Sequence, residues 1–155
     1  MKMIRLEDYV LKVADITDTT DLTFFKRMNQ NKEFQKYFGT VSMQKEIENS
    51  IFMNDFIVIH EVEKIGYIHL SDKIEKESIC AVTLYYYIDP YYRNKGIATR
   101  LLGQLIDYLQ NYEKINYIIL NIHKENIPSI KVAIQNGFIK NLEDDEEMQF
   151  IRKPL

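Results

Sequence analysis

Apolar positions follow several rhythms along this chain, and each rhythm predicts an element. Phe56-Ile57-Val58-Ile59-His60 and Ile65-Gly66-Tyr67-Ile68-His69-Leu70 are β-forming runs either side of the polar Glu61–Lys64, the pattern of a hairpin. Ile79 to Ile88 is almost continuously apolar or β-forming, as expected of a central strand buried on both faces. After Gly96 the period changes. Ile97, Ala98, Leu101, Leu102, Leu105, Ile106 and Leu109 form one stripe at helical spacing, with Asn111 marking its end. Ile115 to Ile122 predicts another buried strand.

The other elements are announced by their ends. The first fifteen residues read as one strand with an irregular start. Asp18-Thr19-Thr20-Asp21 offers N-cap chemistry for a helix over Leu22 to Gln30, and Ser42 opens a second expected helix reaching Phe52. Asn126-Ile127-Pro128-Ser129 starts a helix with proline in its first turn, where the missing N–H costs nothing. Gly137 should stop that helix as a left-handed cap. Phe138–Leu142 and Met148–Arg152, joined by the acidic Glu143–Glu147, read as a closing hairpin. A strand–helix–strand–helix core after a three-strand meander implies a mixed sheet with helices on both faces.

Composition narrows the class. With 155 residues, 46% of them hydrophobic and 28% charged, the chain fits a single soluble domain over 1–155. No apolar run approaches the ~20 residues of a membrane span, and the N-terminus lacks a secretory core, so a cytoplasmic setting with no membrane partner is expected. The single Cys80 allows no internal disulfide and no cysteine-clustered metal site, so no metal is expected; in its apolar run it reads as a small buried hydrophobe. A net charge of −3 without a basic face argues against nucleic acid. The acidic run Glu143–Glu147 reads as a solvated hairpin tip, or as an attractor for a cationic substrate.

The chemistry concentrates at Tyr85-Tyr86-Tyr87-Ile88-Asp89-Pro90-Tyr91-Tyr92-Arg93-Asn94-Lys95-Gly96-Ile97-Ala98. A strand stopped by proline, a basic turn, then glycine at a helix mouth is an arrangement that binds anions. Backbone N–H groups in a first helical turn lack internal partners, and the helix dipole adds positive potential there. Arg93, Lys95 and Arg100 add full charges. Neither the Gly-x-x-x-x-Gly-Lys-Ser/Thr nor the Gly-x-Gly-x-x-Gly spacing of nucleotide loops is present.

Two motifs now carry a resemblance. Arg93-Asn94-Lys95-Gly96-Ile97-Ala98 matches Gln/Arg-x-x-Gly-x-Gly/Ala, and Asn126, Ser129, Gly137 and Phe138 match an asparagine, small-residue and Gly-Phe pattern at the same spacing. The chain therefore resembles the GNAT superfamily of acyl-CoA-dependent N-acetyltransferases, nearest its ribosomal-protein N-terminal acetyltransferase-like branch. The resemblance implies a mixed α/β (α+β) fold around a mostly antiparallel central sheet of about seven strands, with helices on both faces. It implies acetyl-CoA as co-substrate. The backbone of Arg93, Asn94, Lys95, Gly96, Ile97, Ala98 and Thr99 would wrap the pyrophosphate, Gly96 letting phosphate approach and Asn94 tolerating positive φ. The backbone of Tyr86, Tyr87 and Ile88 would bond the pantetheine arm, which Asn126 would also contact.

The implied reaction is transfer of acetyl from acetyl-CoA to a primary amine by direct attack in a ternary complex. The acceptor is expected to be a small-molecule amine or a peptide N-terminus, and the protein a monomer or homodimer. Many relatives carry a tyrosine seven residues after the motif asparagine to protonate the departing thiolate; here that residue is Ala133. Ser129, matching a serine of the ribosomal-protein branch, is then the candidate catalytic thiolate partner, unless it only serves the helix start. The base stays open among His69, His123, Glu125 and a water chain. Tyr85 and Tyr87 would line an amine pocket or simply fill the core, and Leu22–Phe52 would supply the acceptor aromatics. Two rival readings remain. One is a catalytically weak CoA-binding sensor of the same fold; the other, acetylation of aminoacyl-tRNA, expects a basic face.

Overall fold

A computed structural model describes residues 2–154. Proximity along the backbone divides the chain into two compact units, Met1–Leu70 with Tyr86–Tyr92, and Ser71–Tyr85 with Arg93–Leu155. Nine strands and four α-helices occur among the described residues.

The first unit opens with β1 (Met3–Arg5) and β2 (Val10–Val13), antiparallel through the pairs Met3↔Lys12 and Arg5↔Val10. The single strand expected over the first fifteen residues is thus two. The polar Leu6–Tyr9 segment closes a turn in which the Leu6 N–H donates to the Tyr9 carbonyl at 2.8 Å. Helix α1 (Thr19–Gln30) begins three residues before the expected Leu22, because Asp18, the first residue of the capping run, is its cap: its carboxylate accepts the N–H groups of Thr20 and Asp21. The Thr20 hydroxyl above all, and then those backbone bonds, hold the Asp18 carboxyl down at about 2.

Helix α2 (Lys32–Phe38) replaces the helix expected over Ser42 to Phe52. Two asparagines explain the change. The Asn29 amide accepts from the Val41 N–H and donates to the Val41 carbonyl, and the buried Asn54 amide holds Ile47 in the same way. Side chains that occupy backbone donors and acceptors compete with a helical ladder, and here they win. Asn49 and Met53, both at φ above +60°, complete an irregular segment.

Strands β3 (Asp55–His60) and β4 (Glu63–Leu70) form the expected hairpin, with a register shift between Val58 and Ile59. Ala14, Phe24, Phe25, Met28, Phe34, Ile57, Tyr67 and Tyr87 make the apolar core of this unit. Phe34, fully buried, packs edge-on to Tyr87 at 4.9 Å and stacks on Phe38 at 4.8 Å. Beside this core a buried carboxylate meets two ammonium groups. Asp21 accepts from Lys12 Nζ and Lys64 Nζ, each at 2.6 Å, and from the Asp15 N–H at 2.9 Å.

In the second unit β5 (Ile74–Lys76) pairs antiparallel with the start of β6 (Ile79–Ile88). Nothing in the sequence announces β5, because its turn uses Glu77 at φ 57° where glycine or asparagine would be the usual signal. Strand β6 is less buried than its apolar run suggests, for Thr83, Tyr85 and Tyr86 are half-exposed. Cys80 departs likewise. It is half-buried, and burial together with the nearby Glu75 carboxylate pushes its thiol up, which disfavours the thiolate.

Helix α3 (Ile97–Asn111) buries the expected Ile97, Leu101, Leu102, Leu105, Ile106 and Leu109. Strand β7 (Tyr117–His123) runs parallel to β6 from Ala81↔Tyr117 to Thr83↔Ile119. Helix α4 (Ile127–Gln135) follows, and the hairpin of β8 (Ile139–Glu143) and β9 (Glu147–Arg152) adds to β7 antiparallel through β9. Among the described pairings the strands are mostly antiparallel, and β6 with β7 is parallel. This is a mixed α/β fold, with more strands than the seven or so expected because the N-terminal strand is split and β5 is added.

Candidate functional site

The turn before α3 has the geometry its residues imply. Pro90–Tyr92 form one 3₁₀ turn, begun by the Asp89 carboxylate accepting the Tyr91 N–H. Asn94 takes φ 63° and Gly96 φ 74°, so the two residues best suited to the left-handed region occupy it. Gly96 is the N-cap of α3, with no side-chain cap and no acidic residue in the first turn. The N–H groups of Ile97, Ala98 and Thr99 precede the first bond of the helical ladder, Arg100 N–H to the Gly96 carbonyl at 3.2 Å. The Arg100 guanidinium folds back over the turn to the Lys95 carbonyl at 3.3 Å. A Cβ on Gly96 would sit 3.1 Å from that guanidinium. Gly96 is needed here for its φ and for its lack of a side chain.

Asn126 caps α4. Its Oδ1 accepts the Ser129 N–H at 3.4 Å, leaving the amide nitrogen as the donor end. Ser129 is half-exposed one turn into the helix. Gly137 ends α4 at φ 82°, with its own N–H on the Ile134 carbonyl and the Phe138 N–H on that of Ala133. This pair of bonds is a Schellman motif and satisfies two carbonyls of the last turn. Ala133 is fully buried at the position where a tyrosine would otherwise be expected.

The structure brings the start of α3 to the end of α4. Thr99 Oγ1 donates to Gln135 Oε1 at 3.0 Å, and Asn136 Nδ2 donates to the Thr99 carbonyl at 3.3 Å. Asn126 stands at the opposite end of α4, roughly 13 Å from Gln135 at 1.5 Å per residue, and Ser129 roughly 9 Å from it.

In the first unit Tyr87 and Ile88 are buried and Tyr86 half-exposed. The Tyr87 carbonyl lies against Gly66, where a Cβ would come within 2.5 Å of it, and the Asp89 N–H donates to the Ile65 carbonyl at 2.8 Å. Tyr92 and Arg27 are held nearby. The Tyr92 hydroxyl donates to the Glu63 carboxylate, which pushes that phenol up to about 12, and Arg27 pairs with Asp89 at 3.2 Å.

Sequence reasoning missed one constellation in this unit. Asp55, a buried carboxylate at the start of β3, accepts the Tyr67 hydroxyl at 2.7 Å and His69 Nδ1 at 2.8 Å, both on Oδ1. Burial, and then the adjacent Asp55 charge, pushes the Tyr67 phenol well above its ordinary range, so it acts as a donor. The signal was present in the hairpin register, where Asp55 pairs with His69. His123 differs: its Nδ1 accepts the Glu125 N–H at 3.1 Å, and the Glu125 carboxylate is exposed. Among the described residues no group of three His, Cys, Asp or Glu is placed to hold a metal, and no helix is long and apolar enough to cross a membrane.

Comparison with known proteins bears on this geometry. Residues 10–139 match a family model described as an acetyltransferase (GNAT) domain. The L-amino acid N-acetyltransferase AaaT of Escherichia coli (strain K12) is 31% identical over 51 residues, which span 33% of this chain and only 32% of that protein. The ribosomal-protein-S5-alanine acetyltransferase of Vibrio fischeri superposes with a TM-score of 0.76 at 16% identity, covering 99% of this chain and 97% of that one. The spermidine N-acetyltransferase of Vibrio cholerae, solved with CoA and spermine, gives 0.72 at 18% identity over 94% and 95% of the two chains.

Proposed function

Because the chain belongs to the GNAT acetyltransferase family, whose co-substrate is acetyl-CoA, we propose that it transfers acetyl from acetyl-CoA to a primary amine by direct attack in a ternary complex. The observation that carries this reading is the mouth of α3: a left-handed glycine cap with no side-chain or acidic competitor, beneath a folded-back arginine. That is a polyanion site, and the family's polyanion is the pyrophosphate of CoA. Arg93 to Thr99 would hold it, with Lys95 and Arg100 supplying charge.

The pantetheine arm would run along Tyr86–Ile88. The Tyr87 carbonyl is turned to Gly66, so by strand alternation the backbone groups of Tyr86 and Ile88 are the ones suited to the arm. The donor end of Asn126 would meet the same arm, and Ser129, one turn further on, is the residue proposed to protonate the departing thiolate. As a single domain acting in the cytoplasm, where acetyl-CoA is supplied, the protein would take a small amine or a peptide N-terminus. The alanine-, spermidine- and amino-acid-directed enzymes it resembles support that range.

A second reading, a CoA-binding sensor, is favoured by the buried Ala133 in place of a tyrosine. A thiol-release assay with polyamines, amino acids, aminoglycosides and N-terminal peptides separates the two, alongside calorimetric titration of acetyl-CoA. Amine-dependent thiol release is the expected result. Tight binding with release no faster than background hydrolysis would establish the sensor, and absence of binding would overturn both.

A further inference from the structure

Transfer to an amine needs a group that removes a proton from the acceptor's ammonium, and the sequence leaves four candidates. Hydrogen bonding at Nδ1 separates the histidines. A histidine is a base at Nε2 only when Nδ1 carries the hydrogen, and a carboxylate on Nδ1 both fixes that tautomer and stabilises the imidazolium that forms. His123 is held the wrong way round, because its Nδ1 accepts a backbone N–H and its proton must sit on Nε2. His60 has Nδ1 against the Asp8 carbonyl at 3.0 Å and its ring beside Tyr9, with a neutral carbonyl where a carboxylate would be needed. His69 meets the requirement, with Nδ1 2.8 Å from a carboxylate whose side chain is only 5% exposed.

The geometry points to His69 as the proton acceptor of the amine, with Asp55 as its positioning residue and Tyr67 fixing Asp55; this rests on the acetyltransferase reading above. The carboxylate is too buried to be an incidental surface partner, and ionising it there is costly without strong donors. Tyr67 and His69 supply them on one oxygen. Placement agrees with the role. Tyr67 packs on Phe25 at 5.5 Å and faces Phe34 at 6.4 Å, and Phe34 packs on Tyr87 in the strand proposed to carry the pantetheine arm. His69 itself is 27% exposed at the side chain, open enough to meet a substrate.

The step balances without another reactant. Neutral Nε2 takes one proton from R–NH₃⁺, giving imidazolium and R–NH₂. The nitrogen lone pair forms the C–N bond at the thioester carbonyl. On collapse the C–S bond breaks, sulfur leaves with its electron pair, and the second nitrogen proton ends on the thiol. The imidazolium then returns its proton to water.

The test compares the wild-type protein with His69→Gln, His69→Ala and Asp55→Asn, using the best amine among spermidine, an aminoglycoside, free L-amino acids and an alanine-led peptide. His69→Gln should lower kcat by about 10²- to 10⁴-fold, the range for general-base removal, with the acetyl-CoA KM changed less than about twofold. Exogenous imidazole should restore part of the turnover of His69→Ala, which a purely structural histidine would not permit. Long-range ¹H–¹⁵N NMR of the wild-type protein, needing no variant to fold, should show the Nδ1–H tautomer at His69, and Asp55→Asn should erode it as kcat falls. A wild-type protein that transfers acetyl while His69→Gln stays within about threefold of it in kcat overturns this proposal alone. An Nε2–H tautomer at His69 does the same. If the wild-type protein transfers to no amine, the acetyltransferase reading falls, and this proposal with it.

Discussion

Replacing Asp21 by asparagine isolates the buried charge that roots α1. The substitution keeps the shape and removes the charge from a side chain with no exposed surface, leaving Lys12, 9% exposed, and Lys64, 25% exposed, without their shared counter-ion. Lys64 is wet enough to swing toward solvent. Lys12 is not; it keeps only the more exposed Asp18 carboxylate at 3.7 Å, so breaking the buried pair in this one-sided way costs toward the lower end of about 3–5 kcal/mol. With a urea m-value of about 2 kcal/mol/M for a chain of this size, the midpoint should fall by about 2 M at unchanged m. Removing the stranded cation as well, in Lys12→Met/Asp21→Asn, should recover most of the loss, because an apolar stem then fills the same space. Urea titration followed by circular dichroism at neutral pH reads both numbers. A midpoint shift under about 0.5 M for Asp21→Asn would place the trio in the class of hydrated surface pairs and refute the reasoning.

Three further outcomes follow from other parts of the molecule. Gly96→Ala puts a side chain at φ 74° and 3.1 Å from the Arg100 guanidinium, so the calorimetric Kd for acetyl-CoA should rise by about 5- to 30-fold for a strain of ~1–2 kcal/mol. Ser129→Ala should lower kcat by at least about tenfold in a steady-state thiol-release assay while acetyl-CoA affinity holds; unchanged turnover would remove Ser129 from the mechanism. Asp18, depressed in the folded protein from 3.8 to about 2, contributes stability that is complete above pH ~4 and lost as the pH falls through about 2. Asp18→Asn keeps a good cap but not the charge, so any gap in urea midpoint between it and the wild-type protein at pH 6 should close near pH 2.

How much of this was legible in the sequence depended on where the information lay. Elements specified by one local rule were readable: the cap in the Asp18–Asp21 run, the α3 stripe from Ile97 to Leu109, and the left-handed Asn94 and Gly137. The motif residues of the α3 turn fall where their backbone requirements put them. What the sequence hid was set by side chains acting at a distance. Ser42 offers a helix cap, but Asn54, outside the expected helix, takes the backbone groups of Ile47 within it, and Asn29 takes those of Val41 just before it. Asp55 carries no motif, since its meaning comes from lying opposite His69 in the hairpin register and two positions of β4 from the Tyr67 hydroxyl. Strand β5 turns on glutamate, and Cys80 keeps an open side that its apolar neighbours in sequence do not suggest.

The cap at the end of α4 also acts as a fulcrum. Asn136 is pinned on three sides, to the Thr99 carbonyl at 3.3 Å, by Arg152 Nε on its own carbonyl at 2.8 Å, and by the close pass of Gly103, where a Cβ would lie 3.1 Å from its Oδ1. From there α4 is a lever arm of about 15 Å to Asn126, at 1.5 Å per residue. A tilt of about 5° at the pin moves the asparagine by about 1.3 Å, and displacements of ~1 Å in a reacting array can cost ~10²-fold in rate. Gly103, Thr99 and Arg152 thus set the aim of a side chain that none of them touches, and drift at those three positions would retune the far end of α4 with its own residues unchanged.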